Sequence, residues 1–246
     1  MIKVTALWRH PIKSHGHEAL QRVTLTEGQA MPYDRLWAVA HEAAKVGGTE
    51  WAPCQNFSIG SKSPALMAIS ATFNENTETV TLHHPGQPDL TVQPDTESGQ
   101  LLAWVRPLAN PDRPLPDRIF RLDQRGFTDT AFASVSLCNT ASHEAVEALT
   151  GSSLQQARWR GNIWYDGATA WSEFDWVGRD VRLGTALLRI QEPIRRCVAT
   201  TVNTDTGIRD VDTLKALNSL DHQDFGVYAT VIETGDIALG DTLELI

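Results

Sequence analysis

The chain has 246 residues, enough for one large β domain or two smaller domains, each with its own core. With 30 acidic against 21 basic residues and a formal net charge of -9, it lacks the cation excess that general nucleic-acid binding needs; one local basic pocket stays open, because net charge says nothing about a single cleft. Three scattered cysteines exclude a disulfide-stapled scaffold, no apolar run approaches a membrane-spanning length, and the start shows no secretory h-region, so a cytoplasmic, reduced protein with no membrane contact is expected.

In chain order, Lys3–Trp8, Arg35–Val39 and Thr79–His83 are short runs rich in β-branched, leucine or tryptophan residues, which predicts strands. His84-Pro85-Gly86 predicts a turn after the third. Pro107–Pro116 carries four prolines in ten residues and cannot lie in a central strand or a helix interior. We therefore expect an N-terminal domain over residues 1–106, an extended linker over 107–118 and a C-terminal domain over 119–246. Ser142 is expected to cap a helix through His143–Leu149 that Gly151 stops, and a second helix is expected over Asp212–Leu220. Asp180–Gly184 followed by Ala186–Gln191 predicts a hairpin, and Gly226–Ile232 a further strand. Many short strands and few helices point to a mainly β, α+β chain built from barrels rather than a doubly wound sheet.

Five segments could carry chemistry. In Arg195-Arg196-Cys197 a thiol follows two cations, which stabilise the thiolate that binds soft metals. A small buried core cysteine is the other reading. If Arg158-Trp159-Arg160-Gly161-Asn162 is extended, Arg158, Arg160 and Asn162 share one face, where guanidiniums suit phosphate; a solvated strand face is the alternative. Lys13 and Ser14, closing the first strand, offer an ammonium and a hydroxyl to an anion, or simply a polar turn. His10, His15 and His17 lack a cysteine or carboxylate at familiar zinc spacing. Arg35 follows Asp34 and pairs with it or with a ligand; Tyr228, after Gly226, lines a barrel or fills its core. No phosphate-binding GxxxxGK[ST] loop, GxGxxG, GxSxG or HExxH is present.

Taken in order, Pro11-Ile12-Lys13-Ser14, Asp34-Arg35-Leu36-Trp37, Arg158-Trp159-Arg160-Gly161-Asn162-Ile163, Arg196-Cys197 with Thr200-Thr201-Val202, Thr206-Gly207, Phe225-Gly226-Val227-Tyr228 and the closing Gly240–Leu245 resemble the MOSC family with its N-terminal β-barrel companion domain. The resemblance covers nearly the whole chain. It implies a MOSC β-barrel packed against an N-terminal β-barrel-like domain, and a molybdenum cofactor, a molybdopterin ending in phosphate. By the same resemblance Cys197 is the metal ligand and catalytic centre. Lys13, Ser14, Arg35, Asn139, Thr140, Arg158, Arg160, Asn162, Arg195, Arg196 and Tyr228 are the expected cofactor-binding residues. Gly161 stands where the family usually has proline, and Trp51–Ser63 lacks the family's Gln-Arg.

The implied activity is an oxidoreductase that reduces small N-hydroxylated compounds. Three cysteines cannot supply a four-cysteine iron–sulfur cluster, so the electrons are expected from a separate electron-transfer protein. No domain with a Schiff-base lysine for covalent pyridoxal phosphate is seen. The alternative is a non-catalytic carrier or binding module for cofactor or sulfur, served by a cofactor-delivery protein.

Overall fold

The computed structural model describes residues 1–48, 50–123 and 125–246. The elements in order are β1 (Ile2–Arg9), β2 (Glu18–Leu20), β3 (Arg22–Leu25), β4 (Trp37–His41), β5 (Ser70–Asn74), β6 (Thr79–His84), β7 (Gln87–Val92), α1 (Ser98–Val105), β8 (Pro116–Arg121), β9 (Val135–Asn139), α2 (Thr140–Thr150), β10 (Ile163–Asp166), β11 (Asp180–Leu183), β12 (Ala186–Arg195), α3 (Thr213–Asn218), β13 (Asp224–Glu233), β14 (Gly235–Ala238) and β15 (Thr242–Leu245).

Seven strands close a barrel in the order β1-β10-β9-β13-β12-β11-β15 and back to β1, with β2 added outside on β1. All neighbours are antiparallel except β10 and β9. Alternate residues face inward, as the strand period requires: Val181 and Leu183, Leu188 and Ile190, and Val227, Ala229 and Val231 fill the barrel. Each such leucine or valine contributes about 1.5–3 kcal/mol by leaving water. The expected hairpin is present, with Val181 opposite Leu188 and Gly184 left-handed at its tip.

The N-terminal half is also β. β5, β6 and β7 form a meander, β4 pairs with β8, and α1, which the strand-rich reading did not anticipate, packs Leu101 and Val105 into this core. Three pairings cross the division expected from sequence at 107–118. β1 lies in the C-terminal barrel, β14 pairs with β3, and β8 returns to β4. The proline-rich stretch thus leads from α1 back to the sheet it left. A strand will pair wherever its edge and register are satisfied, and sequence distance does not forbid it.

Local corrections have local causes. α2 is capped by Asn139, whose side chain accepts from the Ala141 amide at 3.1 Å, and not by Ser142; Gly151 ends it in the left-handed region. Asp212 caps α3 from outside. Residues 158–162 are not extended: Gln156–Trp159 is a 3-10 turn, Arg160 is left-handed at φ 50°, and the strand begins at Ile163. The strand expected from Arg35 begins at Trp37, because Arg35 is itself left-handed at φ 53°.

Candidate functional site

A cavity of about 290 Å³ opens between one end of the barrel and the N-terminal half. Lys13, Ser14, Arg35, Arg158, Arg160, Arg195, Arg196, Cys197 and Tyr228 all line it, so residues from five separate segments converge. Among the described residues seven non-glycine residues have positive φ, and three of them, Ser14, Arg35 and Arg160, stand in this wall. Left-handed backbone at a bulky residue costs free energy and persists where surrounding structure holds it, which is common at binding sites.

The cations differ in what they have left to give. Lys13 is buried and donates to the Phe127 carbonyl at 2.7 Å and to Asp129 Oδ1 at 2.6 Å. Arg35 binds Asp34 on one side and donates to the Arg160 carbonyl at 3.0 Å on the other. Burial works against the Asp34 carboxylate, but Arg35 and His10 outweigh it and hold its pKa well below the usual range. Arg158 is sealed and spent, with Asp210 gripping its fork at 2.7 and 2.8 Å and Gln155 its Nε at 2.7 Å. Arg196 is also committed: it donates to the Phe225 carbonyl at 2.9 Å and the Trp159 carbonyl at 2.6 Å, over both rings.

Arg160 and Arg195 are the uncommitted pair. The Arg160 guanidinium makes one hydrogen bond, to the Gly16 carbonyl at 3.4 Å. Burial, and then the neighbouring Arg35 charge, lower its pKa. A guanidinium does not shed its proton in a protein, so the Arg160 charge stays in this unfavourable field, an environment that favours an anion. Arg195 has no side-chain partner among the described residues and lies at the exposed edge.

Cys197 is exposed to the cavity and precedes the Val198–Thr201 turn, where its carbonyl accepts from the Thr200 amide and hydroxyl, both at 3.1 Å. Cys138 is sealed in the barrel wall, and burial pushes its thiol up to about 12. Of the other expected residues, Asn139, Thr140 and Asn162 do not line this cavity. Asn139 caps α2 and donates to the Thr169 carbonyl and Glu173. Thr140 follows it in the first turn of α2. Asn162 ties Ser136 to the Trp8 carbonyl and reaches a void of about 10 Å³ shared with Arg35, Asp129 and Tyr228.

Sequence reasoning missed Cys54, Met67 and Asp129, which complete the wall. Nothing local marks them: Asp129 matters because Lys13 reaches it across the fold, and Cys54 has no flanking cation. The histidines near the first turn are structural. Burial first of all lowers the pKa of His10 to about 3 and of His15 and His17 to about 4, and His10 and His15 bind Asp34 and the Lys13 carbonyl. Among the described residues no three of His, Cys, Asp or Glu are grouped to hold a metal. No helix is long and apolar enough to cross a membrane.

Fold and site together define a closed β-barrel protein with a cationic, sulfur-bearing cleft at one end. The MOSC domain model matches residues 124–244 and the MOSC N-terminal beta barrel domain model residues 1–106, between them nearly the whole chain. The chain belongs to the MOSC family. It is similar to mitochondrial amidoxime-reducing component 1 of Xenopus laevis, 32% identical over 120 residues; the match spans 44% of this chain and only 34% of that relative. Among solved structures, the YuaD protein of Bacillus subtilis aligns over 100% of this chain and 96% of its own, at 11% identity and a TM-score of 0.48. YiiM of Geobacillus stearothermophilus aligns over 46% of this chain and 53% of its own, at 22% identity and a TM-score of 0.37.

Proposed function

We propose that the cavity binds a molybdenum cofactor and that the chain is an oxidoreductase reducing small N-hydroxylated compounds with electrons from a separate donor protein, in a reduced cytoplasmic setting. One observation carries this reading: an exposed thiol, Cys197, shares a cavity with two guanidiniums, Arg160 and Arg195, that lack a carboxylate partner among the described residues. A soft sulfur donor beside unmet cations is the donor set that a metal on an anionic, phosphate-bearing pterin requires. Membership of the MOSC family and the likeness to an amidoxime-reducing component support it.

In this assignment Cys197 holds the metal, and Arg160, Arg195, Lys13, Ser14 and Arg35 hold the anionic pterin. That group, when bound, would supply the two-electron chemistry for cleaving an N–O bond. The protein does the rest. The Lys13 Nζ, held at 2.6 Å by Asp129 and at 2.7 Å by the Phe127 carbonyl, places a hydrogen-bond donor in the cavity wall. The Tyr228 phenol stays protonated, because burial raises its pKa, and so remains a donor toward a substrate oxygen. Arg158 and Arg196 act on the wall: they fix the 3-10 turn that presents Arg160.

Protein made in a host that assembles the cofactor should carry stoichiometric molybdenum and turn over a hydroxylamine with an artificial reductant. Cys197→Ala should lose both metal and turnover. Full turnover by that variant would refute the ligand assignment. A second reading, a non-catalytic carrier of cofactor or sulfur, is favoured by one observation, the second exposed thiol, Cys54, in the same cavity. Stoichiometric molybdenum without reductase activity would select it.

A further inference from the structure

The chain has three cysteines, and the fold treats them unequally. Cys138 is sealed in the barrel wall. Cys54 comes from the N-terminal half and Cys197 from the barrel, yet both are free, exposed and in the wall of one cavity. We propose that Cys54 and Cys197 form a redox-active dithiol, in which a hydroperoxide oxidises Cys197 and Cys54 resolves the product to an intramolecular disulfide.

The geometry favours a pair over two independent thiols. Cys54 opens the Cys54–Asn56 turn, which is anchored to the N-terminal sheet through the Phe57–Ala40 bridge. Cys197 sits just ahead of the Val198–Thr201 turn. Both thiols line the one cavity, with Lys13 in the same wall; burial raises the Cys54 pKa and the Lys13 charge opposes it. Neither residue belongs to a strand ladder. A disulfide brings its Cβ atoms to about 3.8 Å, and two turns can approach with less loss of backbone hydrogen bonding than two paired strands.

The hydroperoxide is the one oxidant required. The Cys197 thiolate attacks one peroxide oxygen; an S–O bond forms, the O–O bond breaks, and hydroxide leaves, so sulfur is oxidised by two electrons and the peroxide reduced by two. The Cys54 thiol then attacks the Cys197 sulfur; the S–S bond forms, the S–O bond breaks, and the departing hydroxide takes up the Cys54 proton as water. A dithiol reductant reverses the change. Oxidation would therefore draw the two walls together and mask the sulfur that faces the cavity.

The test uses the full chain without added cofactor, treated with hydrogen peroxide, alkylated and mapped by peptide mass spectrometry. Wild type is expected to lose two alkylatable thiols together and to yield a Cys54–Cys197 linked peptide that dithiothreitol removes. In Cys54→Ser, the same treatment should drive Cys197 on to sulfinic acid with no link. Wild type that accumulates sulfinic acid on Cys197 while Cys54 stays alkylatable would overturn the proposal, as would links formed only between chains. The linked peptide is read in wild type, so the result stands whether or not the variant folds. Because thiols are read and not molybdenum, failure here leaves the cofactor assignment standing.

Discussion

Single residues in this fold are held under tension by their neighbours, and each tension has a measurable consequence. Arg160 is a half-buried cation with one weak hydrogen bond among the described residues, beside a second guanidinium that Asp34 and Asp129 only partly offset. Arg160→Gln should raise unfolding stability of the cofactor-free protein by less than about 1 kcal/mol, since it relieves repulsion from Arg35 that Asp34 and Asp129 only partly offset, while lowering molybdenum content. Thermal unfolding and metal analysis on the same preparation check both signs. Glu173 is a second case. It is sealed from water and bound by neutral donors, Asn139 at 3.0 Å and Ser142 at 2.8 Å. Burial raises its pKa, only partly offset by those bonds. A folded-state pKa above the unfolded value means the contribution is fully present at acid pH and is lost as pH rises through the folded pKa. Stability measured by urea between about pH 4 and 8 should therefore fall less steeply in Glu173→Gln than in wild type. Gly161 also gains a reason: a Cβ there would overlap the Cys138 sulfur, so glycine fits where the family resemblance leads one to expect proline.

At the scale of elements, α2 shows how a residue expected to touch a ligand can instead hold the scaffold. Asn139 caps the helix and joins it to Thr169 and Glu173. Asn139→Ala should cost about 1–2 kcal/mol through the cap alone, more through the orphaned Glu173 oxygen, and the urea midpoint should drop while molybdenum per folded chain stays at the wild-type level. This also marks what could be read from sequence. The β11–β12 hairpin, α2 and α3 were legible because turn residues and periodicity are local signals: Gly184, Gly151 and Asp212 announce themselves. Arg158 and Arg160 were legible as neighbours in one wall but not in their orientations. Alternation placed both on one strand face, whereas the left-handed step at Arg160 turns one guanidinium into the cavity and leaves the other clamped by Asp210. Cys54 and Asp129 carry no such signal, because their meaning comes from partners far along the chain.

For the whole molecule, the decisive feature is the first strand. β1 pairs with both β10 and β15, and without it the seven-strand circle is open on two edges. Composition could announce a barrel but not its closure, since a long-range pairing leaves no mark in either segment. A fragment of residues 119–246 should therefore lack a cooperative unfolding transition, and supplying residues 1–118 in trans should restore it; a cooperative transition in the fragment alone would show that β1 is dispensable. The pairing also orders events in time. On the ribosome Ile2–Arg9 emerges before the other strands of the circle, and its neighbour Thr242–Leu245 emerges after all of them. The nascent chain must carry that early segment unpaired on one edge until the last barrel strand has been made, a natural point for a chaperone to hold it.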